Sequence, residues 1–211
     1  MESGRDGETR SDRKHRKILL AARMLFTRDG YASTGMEAVA RDAGVSTATL
    51  YAHFPSKAEL FRAVVEDALD EIGGSVGRTA ALKGDARTRL TAFCRAYARL
   101  YVDPVARAVF RMVMAERRRF EQTAEEMKLR SYEELGGTAI GIISDLAAEG
   151  ALKVEKASWA AGQLLGMIEH ATLVFSLMCG DEAKPLRPVE AVCDDAVETF
   201  LARYGVRGRA G

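Results

Sequence analysis

Apolar residues recur at helical spacing through most of the chain, and no stretch alternates for long enough to predict a β-strand. The first helix is predicted from about Ser11 to Asp29. Its apolar face consists of Ile18, Leu19, Ala22, Leu25 and Phe26. Gly30 then predicts the end of this helix, because glycine readily takes the left-handed conformation that closes helices. The predicted fold class is all-α.

The segment Met36–Lys57 predicts a helix, a tight turn and a second helix. Gly44 ends the first of these helices, and Ser46 is a good N-cap for the second, which spans Thr47–His53. The apolar residues that hold the two helices together are Val39, Ala40, Ala43, Leu50 and Phe54. This spacing is typical of a helix-turn-helix.

The outward face of the second helix carries hydrogen-bonding side chains and no carboxylate. These side chains are Thr47, Thr49, Tyr51 and His53. Such a face suits a polyanion and indicates DNA binding. The alternative is an ordinary helical hairpin, because any hairpin with a glycine turn shows the same spacing.

Acidic and basic residues nearly balance in number, but the basic residues are unevenly distributed along the chain. The net charge of +1 identifies no partner. Between Arg10 and Arg28, basic residues greatly outnumber the single acid, Asp12; they are Arg10, Arg13, Lys14, Arg16, Lys17, Arg23 and Arg28. A basic segment beside a candidate reading helix is the electrostatic footprint of phosphate binding, and a solvated helix face is the alternative. Residues 1–10 are expected to form a flexible basic arm.

The remainder of the chain predicts a larger helical domain. We expect a DNA-binding domain over residues 11–56 and a helical domain over residues 57–211. Two capping boxes, Thr34 with Glu37 and Ser56 with Glu59, predict the starts of the second and fourth helices. The fourth helix is expected to be interrupted or ended at Gly73-Gly74. Later helices are predicted over 85–102, from 103 onward, over 121–149 with a kink at the glycines 136 and 137, over 157–179 and over 189–204.

One of these helices carries more apolar surface than one neighbouring layer can cover, and the last helix offers a second apolar stripe. The helix over 157–179 is apolar around much of its circumference, and Gly162 and Gly166 form a small-residue ridge on it. We predict a homodimer in which helices 157–179 and 189–204 form a four-helix interface. The alternative is that both are ordinary core helices of a monomer.

Cysteine usage and hydropathy favour a cytoplasmic protein. Cys94, Cys179 and Cys193 are far apart and lack metal-binding spacing, so they are interpreted as buried thiols, although a disulfide between Cys179 and Cys193 remains open. No signal peptide or apolar run of membrane-spanning length is found. We expect no metal and no cofactor.

The residues from Lys14 to Phe61 closely resemble the DNA-binding head of the TetR family of transcriptional regulators. The resemblance lies in ILLAARMLFTRDGYASTGMEAVARDAGVSTATLYAHFPSKAELF, with its Gly-Tyr, Ala-Gly-Val-Ser, Thr-Leu-Tyr-x-x-Phe and Ser-Lys elements. It implies a three-helix DNA-binding head followed by a larger helical domain for ligand binding and dimerisation. The region around 105–120 is loosely similar to family members that control efflux pumps.

The resemblance also implies which residues contact DNA. The matching positions are Thr34, Ser46, Thr47, Thr49, Tyr51, His53 and Lys57, of which Thr34 and Lys57 match phosphate contacts. Many members have Lys-Gly or a similar pair where Thr47-Ala48 stand, and a Thr or Ser where Gly35 stands. No operator sequence can therefore be transferred to this chain.

The larger domain of a TetR-like protein encloses a ligand pocket, which implies candidate lining residues here. They are Phe93, Tyr97, Tyr101, Phe110, Met112, Met114, Met127, Trp159, Met167, His170 and Phe175, and each could equally be a core residue. Glu169 and His170 are polar groups within an apolar helix, where they cost free energy unless paired. They are expected to orient the polar end of an apolar or amphipathic ligand, or to hydrogen-bond across the dimer.

The resulting hypothesis is a homodimeric repressor that releases a palindromic operator when a small molecule binds the larger domain. One alternative is a constitutive DNA-binding dimer without a ligand. A remote alternative is an all-helical isoprenoid-type enzyme, since Asp194, Asp195 and Glu198 imitate an Asp-rich magnesium motif. The second Asp-rich motif of such enzymes is missing, so we expect no enzyme.

Overall fold

The computed structural model describes residues 9–174 and 185–206, and within these ranges the protein is built from α-helices. The helices are α1 (Arg10–Asp29), α2 (Met36–Asp42), α3 (Thr47–His53), α4 (Lys57–Gly77), α5 (Ala86–Val102), α6 (Pro104–Glu116), α7 (Glu121–Arg130), α8 (Gly137–Ala148), α9 (Ala157–Glu169) and α10 (Val189–Tyr204). The β-structure in these ranges is limited to one isolated antiparallel bridge between Leu152 and Gly205. The all-α prediction is confirmed.

The residue contacts divide the chain into two compact units. The first contains Met1–Ala68 and Val109–Thr123, and the second contains Leu69–Ala108 and Ala124–Gly211. The division falls inside α4, α6 and α7, whereas the sequence pattern placed a single boundary after residue 56. A segment far along the chain thus groups with the helix-turn-helix.

The core of the first unit is an aromatic cluster in which that distant segment takes part. Phe61 and Phe120 stack with ring centroids 4.4 Å apart, and Tyr31 meets the edge of Phe120 at 5.0 Å. Phe26 of α1 adds a further edge contact to Phe61 at 5.8 Å. Because all four rings are buried, they join α1, the α1–α2 turn, α4 and the 109–123 segment.

The turns of the first unit show which predicted caps form. Gly30 and Gly44 take positive φ values of 83° and 65°, as their predicted helix-closing roles require. The Ser46 hydroxyl caps α3 by accepting a hydrogen bond from the amide of Thr49 at 3.1 Å. The Ser56 hydroxyl likewise accepts from the amide of Glu59 at 3.1 Å.

The capping box predicted at Thr34 is wrong. The N-cap of α2 is Gly35, which provides no side-chain hydrogen bond. The Thr34 side chain is buried, and its hydroxyl donates to the carbonyl oxygens of Gly30 at 2.9 Å and Leu25 at 3.3 Å. The last carbonyls of α1 lie within reach of this buried hydroxyl, so Thr34 anchors the α1–α2 turn to α1 instead of starting α2.

The second unit has one apolar core to which α5, α8, α9 and α10 contribute. Its fully buried large side chains include Phe93, Ile143, Leu146, Leu164 and Phe200. Helix α5 begins at the predicted cap, where the Asp85 carboxylate accepts from the amide of Thr88 at 2.8 Å. Helix α10 has its predicted bounds.

Gly73-Gly74 neither interrupts nor ends α4, which continues to Gly77. At Gly73 the carboxyl group of Glu134 comes so close that an added Cβ would collide with it. Glu134 is held there by Arg130, which donates to it at 2.8 Å and to Asp70 at 2.7 Å. The glycine thus makes room for a neighbouring side chain, which sequence periodicity does not reveal.

Residues 121–149, predicted to be weakened or kinked at glycines, do not form one regular α-helix. Helices α7 and α8 are joined by a wide π-helical turn, Ser131–Gly136, which ends at the glycine pair 136–137. A second π-helical turn, His170–Val174, follows α9. The predicted end of that helix at residue 179 lies outside the described residues. Of the helices in the described ranges, none has both the length and the apolarity needed to cross a bilayer.

Candidate nucleic-acid interface and cavity

Helix α3 presents its polar face to solvent. Thr47 and Ala48 are exposed, and 43% of the surface of Tyr51 is accessible. Thr49 is half-buried, and its hydroxyl lies 2.8 Å from that of the N-cap residue Ser46. Leu50 on the opposite face is completely buried. The helix is therefore anchored by its apolar side while short hydroxyls and one phenol remain accessible.

Lys57, at the start of α4, is held against the α1–α2 turn. Its Nζ donates to the carbonyl oxygen of Ala32 at 3.1 Å and lies 4.4 Å from the centre of the Tyr31 ring. The guanidinium of Arg119 lies 4.9 Å from the centre of the same ring. Partial burial lowers the pKa of Lys57, and repulsion from the Arg119 guanidinium lowers it further. An anion near this pair of cations would relieve that repulsion.

His53 has a ring neighbour that sequence reasoning missed. The His15 ring of α1 lies 5.7 Å from that of His53 and 4.8 Å from that of Phe54. His15 precedes the predicted apolar face of α1 in the sequence, and only the tertiary structure brings the two imidazoles together. His53 is thereby half-buried at the end of α3.

The basic segment of α1 is not uniformly available for phosphate. Arg28 forms two hydrogen bonds of 2.7 Å with Asp29, and Arg23 lies 3.8 Å from Asp67. The exposed cations nearer the N-terminus include Arg13 and Lys17. The basic surface therefore belongs to the first turns of α1, since the last turns pair with neighbouring acids.

The second unit contains a cavity of about 380 Å³ beside the π-helical turn that joins α7 and α8. Its lining comes from α5, that turn, α8 and α9. The lining residues are Tyr97, Tyr101, Ser131, Tyr132, Leu135, Gly136, Ile140, Ser158, Ala161, Gly162, Leu165 and Glu169. We call it the tyrosine cavity.

Hydrogen bonds connect three of these polar side chains. The Tyr101 hydroxyl donates to that of Tyr97 at 2.8 Å, and the Tyr97 hydroxyl donates to the Glu169 carboxylate. Burial raises the pKa of Tyr97 strongly and that of Tyr101 to about 12. Both phenols therefore keep their protons at physiological pH and serve as donors within the cluster.

The candidate pocket residues predicted from the sequence are not brought together. Tyr97 and Tyr101 line the tyrosine cavity, whereas Phe93 lies buried in the core behind it. Met167 and His170 line a separate groove of about 280 Å³ between α9 and α10. The remaining candidates also lie elsewhere: Phe110, Met112 and Met114 in the 109–123 segment, Met127 in α7, Trp159 at the surface, and Phe175 outside the described residues.

The acids that imitate a magnesium motif are engaged in ion pairs. Asp194 binds Arg95 at 3.0 Å, and Asp195 binds Arg187 at 2.6 Å. Within the part of the chain that the structure describes, no three His, Cys, Asp or Glu side chains form a group that could hold a metal. Cys94 and Cys193 are buried free thiols, and Cys179 lies outside that part.

Two family profiles match the chain. That of bacterial regulatory proteins of the tetR family matches residues 18–64, and that of the C-terminal domain of AefR-like transcriptional repressors matches residues 88–206. Over 86 residues the chain is 37% identical to the HTH-type transcriptional activator FasR of Mycolicibacterium smegmatis. This alignment spans 41% of the chain and only 39% of FasR.

Solved structures resemble the whole fold. A TetR-family transcriptional regulator from Mesorhizobium loti MAFF303099 is 28% identical, with a TM-score of 0.82 over 94% of this chain and 100% of its own. The flavonoid-responsive regulator FrrA is 26% identical, with a TM-score of 0.69 over 93% of this chain and 99% of its own. Since the C-terminal profile covers more than half of the chain and the N-terminal profile covers the helix-turn-helix, the chain belongs to the TetR family of DNA-binding transcriptional regulators.

Proposed function

We propose that the protein is a homodimeric repressor that releases its operator when a small molecule enters the tyrosine cavity. The tyrosine cavity is the observation that supports a response to a ligand, because it combines apolar walls with a few converging polar groups, as small-molecule sites do. FrrA, which has the same fold over nearly its whole length, is described as flavonoid-responsive. Binding would shift the protein toward the state with lower operator affinity.

The dimer is proposed to form through helices 157–179 and 189–204. Trp159 is 68% exposed on α9, and Gly166 has open space where a side chain would be, whereas the open space at Gly162 adjoins the tyrosine cavity. A hydrogen bond of 2.8 Å from Tyr204 to Gln163 holds α10 beside α9. A partner's helices could approach this surface closely. Two half-sites about 34–36 Å apart would then bind the two α3 helices.

DNA contact is proposed for Thr34, Ser46, Thr47, Thr49, Tyr51, His53 and Lys57. The support differs among them: Thr47 and Tyr51 are exposed on α3, whereas the hydroxyl of Thr34 is buried and already donates to two carbonyls. We therefore expect Tyr51 and Lys57 to contribute more to DNA affinity than Thr34.

The DNA-binding surface can be tested with duplexes that the wild-type protein selects from a random pool. Tyr51→Ala combined with Lys57→Ala should weaken binding strongly and lower the slope of log affinity against log salt by about two for the proposed dimer, because one phosphate contact is lost in each half-site. The matched control is Leu82→Ala with Lys83→Ala, which changes an exposed pair in the second unit. Wild-type affinity in the Tyr51–Lys57 double variant would place the reading surface elsewhere.

Ligand response can be tested separately from DNA binding. A compound present at 100 times its dissociation constant stabilises the folded protein by about 2.7 kcal/mol, so a thermal-shift screen detects binders. Each binder is then added to the protein–DNA complex, and release is followed by fluorescence anisotropy. A protein that binds DNA but is released by none of the binders would be the constitutive DNA-binding dimer instead.

A further inference from the structure

The charge of the tyrosine cavity has one sign. Glu169 is the only charged residue among the residues that line it. Its carboxylate accepts a hydrogen bond from Tyr97, and the Tyr101 hydroxyl oxygen lies 3.5 Å from it. Among the described residues, no Lys, Arg or His lines the cavity. The lining therefore supplies one carboxylate and no basic side chain to pair with it.

The two phenols of the cavity donate along one chain of hydrogen bonds that ends at Glu169. The proton of Tyr101 points to Tyr97, and the proton of Tyr97 points to Glu169. Each phenol has thus used its only donor inside the cluster, and lone pairs remain on the Tyr101 and Glu169 oxygens. A ligand that reaches this cluster meets acceptors and must itself supply donors or positive charge.

The remaining lining fits a cation with an apolar body. Three tyrosine rings, those of Tyr97, Tyr101 and Tyr132, line the cavity, and the negative faces of such rings attract organic cations. Tyr132 is 69% exposed, so its ring remains accessible beside the cavity. The apolar and small residues of the lining are Leu135, Gly136, Ile140, Ala161, Gly162 and Leu165.

We propose that the tyrosine cavity binds an organic cation, an amine or quaternary ammonium group on an apolar body, with Glu169 as its counter-ion. The proposal rests on the proposed ligand response and names the class of ligand. The volume of about 380 Å³ lies in the range of small-molecule sites. A carboxylate ligand of the same size is disfavoured, because it would meet the charge of Glu169 and find no basic side chain among the lining residues.

The test uses three probes of one shape and different charge: 4-phenylbutylamine, 4-phenylbutanol and 4-phenylbutyrate. Binding to the full-length protein is measured by isothermal titration calorimetry at pH 7, where the amine is a cation. The amine should bind at least about tenfold more tightly than the alcohol, and the acid more weakly than both. Equal or tighter binding of the acid overturns the proposal, as does the failure of all three probes to bind.

Glu169→Gln removes the charge while its amide oxygen can still accept from Tyr97. It should weaken amine binding at least about tenfold and leave alcohol binding within about threefold. The matched control, Glu133→Gln, changes an exposed carboxylate that does not line the cavity and should leave all three affinities unchanged. Unchanged amine affinity in Glu169→Gln overturns the proposal.

A second variant serves if Glu169→Gln unfolds. Tyr132→Ala alters an exposed ring, so folding should be preserved, and it should weaken the amine more than the alcohol. An equal effect on both probes overturns the cation contact. Adding the amine to the protein–DNA complex separates the two hypotheses: binding without DNA release contradicts the proposed ligand response but leaves the cation site intact. If other compounds release the DNA and none of the three probes binds, the cation site is contradicted and the proposed ligand response stands.

Discussion

Phe120 gives the sharpest test of how the 109–123 segment is joined to the helix-turn-helix. Its ring is 7% exposed, stacks on Phe61 at 4.4 Å and meets Tyr31 at 5.0 Å. Phe120→Ala removes this ring and leaves a cavity between the segment and α4. We expect the free energy of unfolding to fall.

The magnitude follows from burial and ring geometry. Replacing a buried phenylalanine by alanine costs about 3–5 kcal/mol, from lost apolar burial and the cavity left behind. Each aromatic pair contributes about 0.5–1.5 kcal/mol of that effect. Phe120→Leu keeps most of the apolar volume but loses two pairs, so it should cost about 1–3 kcal/mol. Leu129→Ala, at a site that is 48% exposed, should stay within about 0.5 kcal/mol.

The measurement is urea unfolding followed by circular dichroism at one fixed protein concentration, because the stability of the proposed dimer would depend on concentration. Hydrogen exchange locates the effect: amides of α1 and the first turns of α4 should lose protection before those of α5. A loss below about 1 kcal/mol for Phe120→Ala, or equal effects of the alanine and leucine variants, would refute the packing argument.

Three further outcomes are expected. Gly44→Ala should destabilise the protein by about 1–2 kcal/mol in urea unfolding, because φ at this turn is +65°; a neutral effect would contradict the left-handed turn. Arg89 is buried and bonds to Asp145 and Glu149, which are more than half exposed. Asp145→Asn combined with Glu149→Gln should therefore lower the free energy of unfolding more than Arg89→Met does, because only the double variant leaves the buried guanidinium of Arg89 without an acidic partner. The opposite order in urea unfolding would refute this. Burial raises the pKa of Cys193 to about 11, so the thiol of the unfolded chain ionises at lower pH than that of the folded protein. Stability should therefore fall as the pH rises from about 8.5 to about 11. In thermal melts at increasing pH, Cys193→Ala should show a smaller fall, and an identical fall would show that other groups cause it.

The candidate DNA surface was more predictable than the candidate ligand site. Residues of α3 are neighbours in sequence, so one helical period places Thr47 and Tyr51 outward and Leu50 inward. The tyrosine cavity instead combines Tyr97 of α5, Glu169 of α9 and a π-helical turn between α7 and α8. Periodicity marks each helix face but does not state which faces meet, so the predicted pocket residues were scattered.

Helix bounds show the same contrast. The end of α2 at Gly44 and the cap of α3 at Ser46 depend on neighbouring backbone groups, and both agree with prediction. Thr34 and Gly73 depend on groups outside their own helix: the carbonyls at the end of α1 and the carboxyl of Glu134. Predictions at these two positions were therefore wrong.

The sequence by itself determined the helical class, the helix-turn-helix and the apolar faces, because these follow from local capping and from a period of 3.6 residues. Only the tertiary structure decided that the 109–123 segment shares the aromatic core of Tyr31 and Phe61, and that Tyr97, Tyr101 and Glu169 line one cavity. Such contacts join residues far apart along the chain. They depend on how several helices cross, and local patterns do not record that.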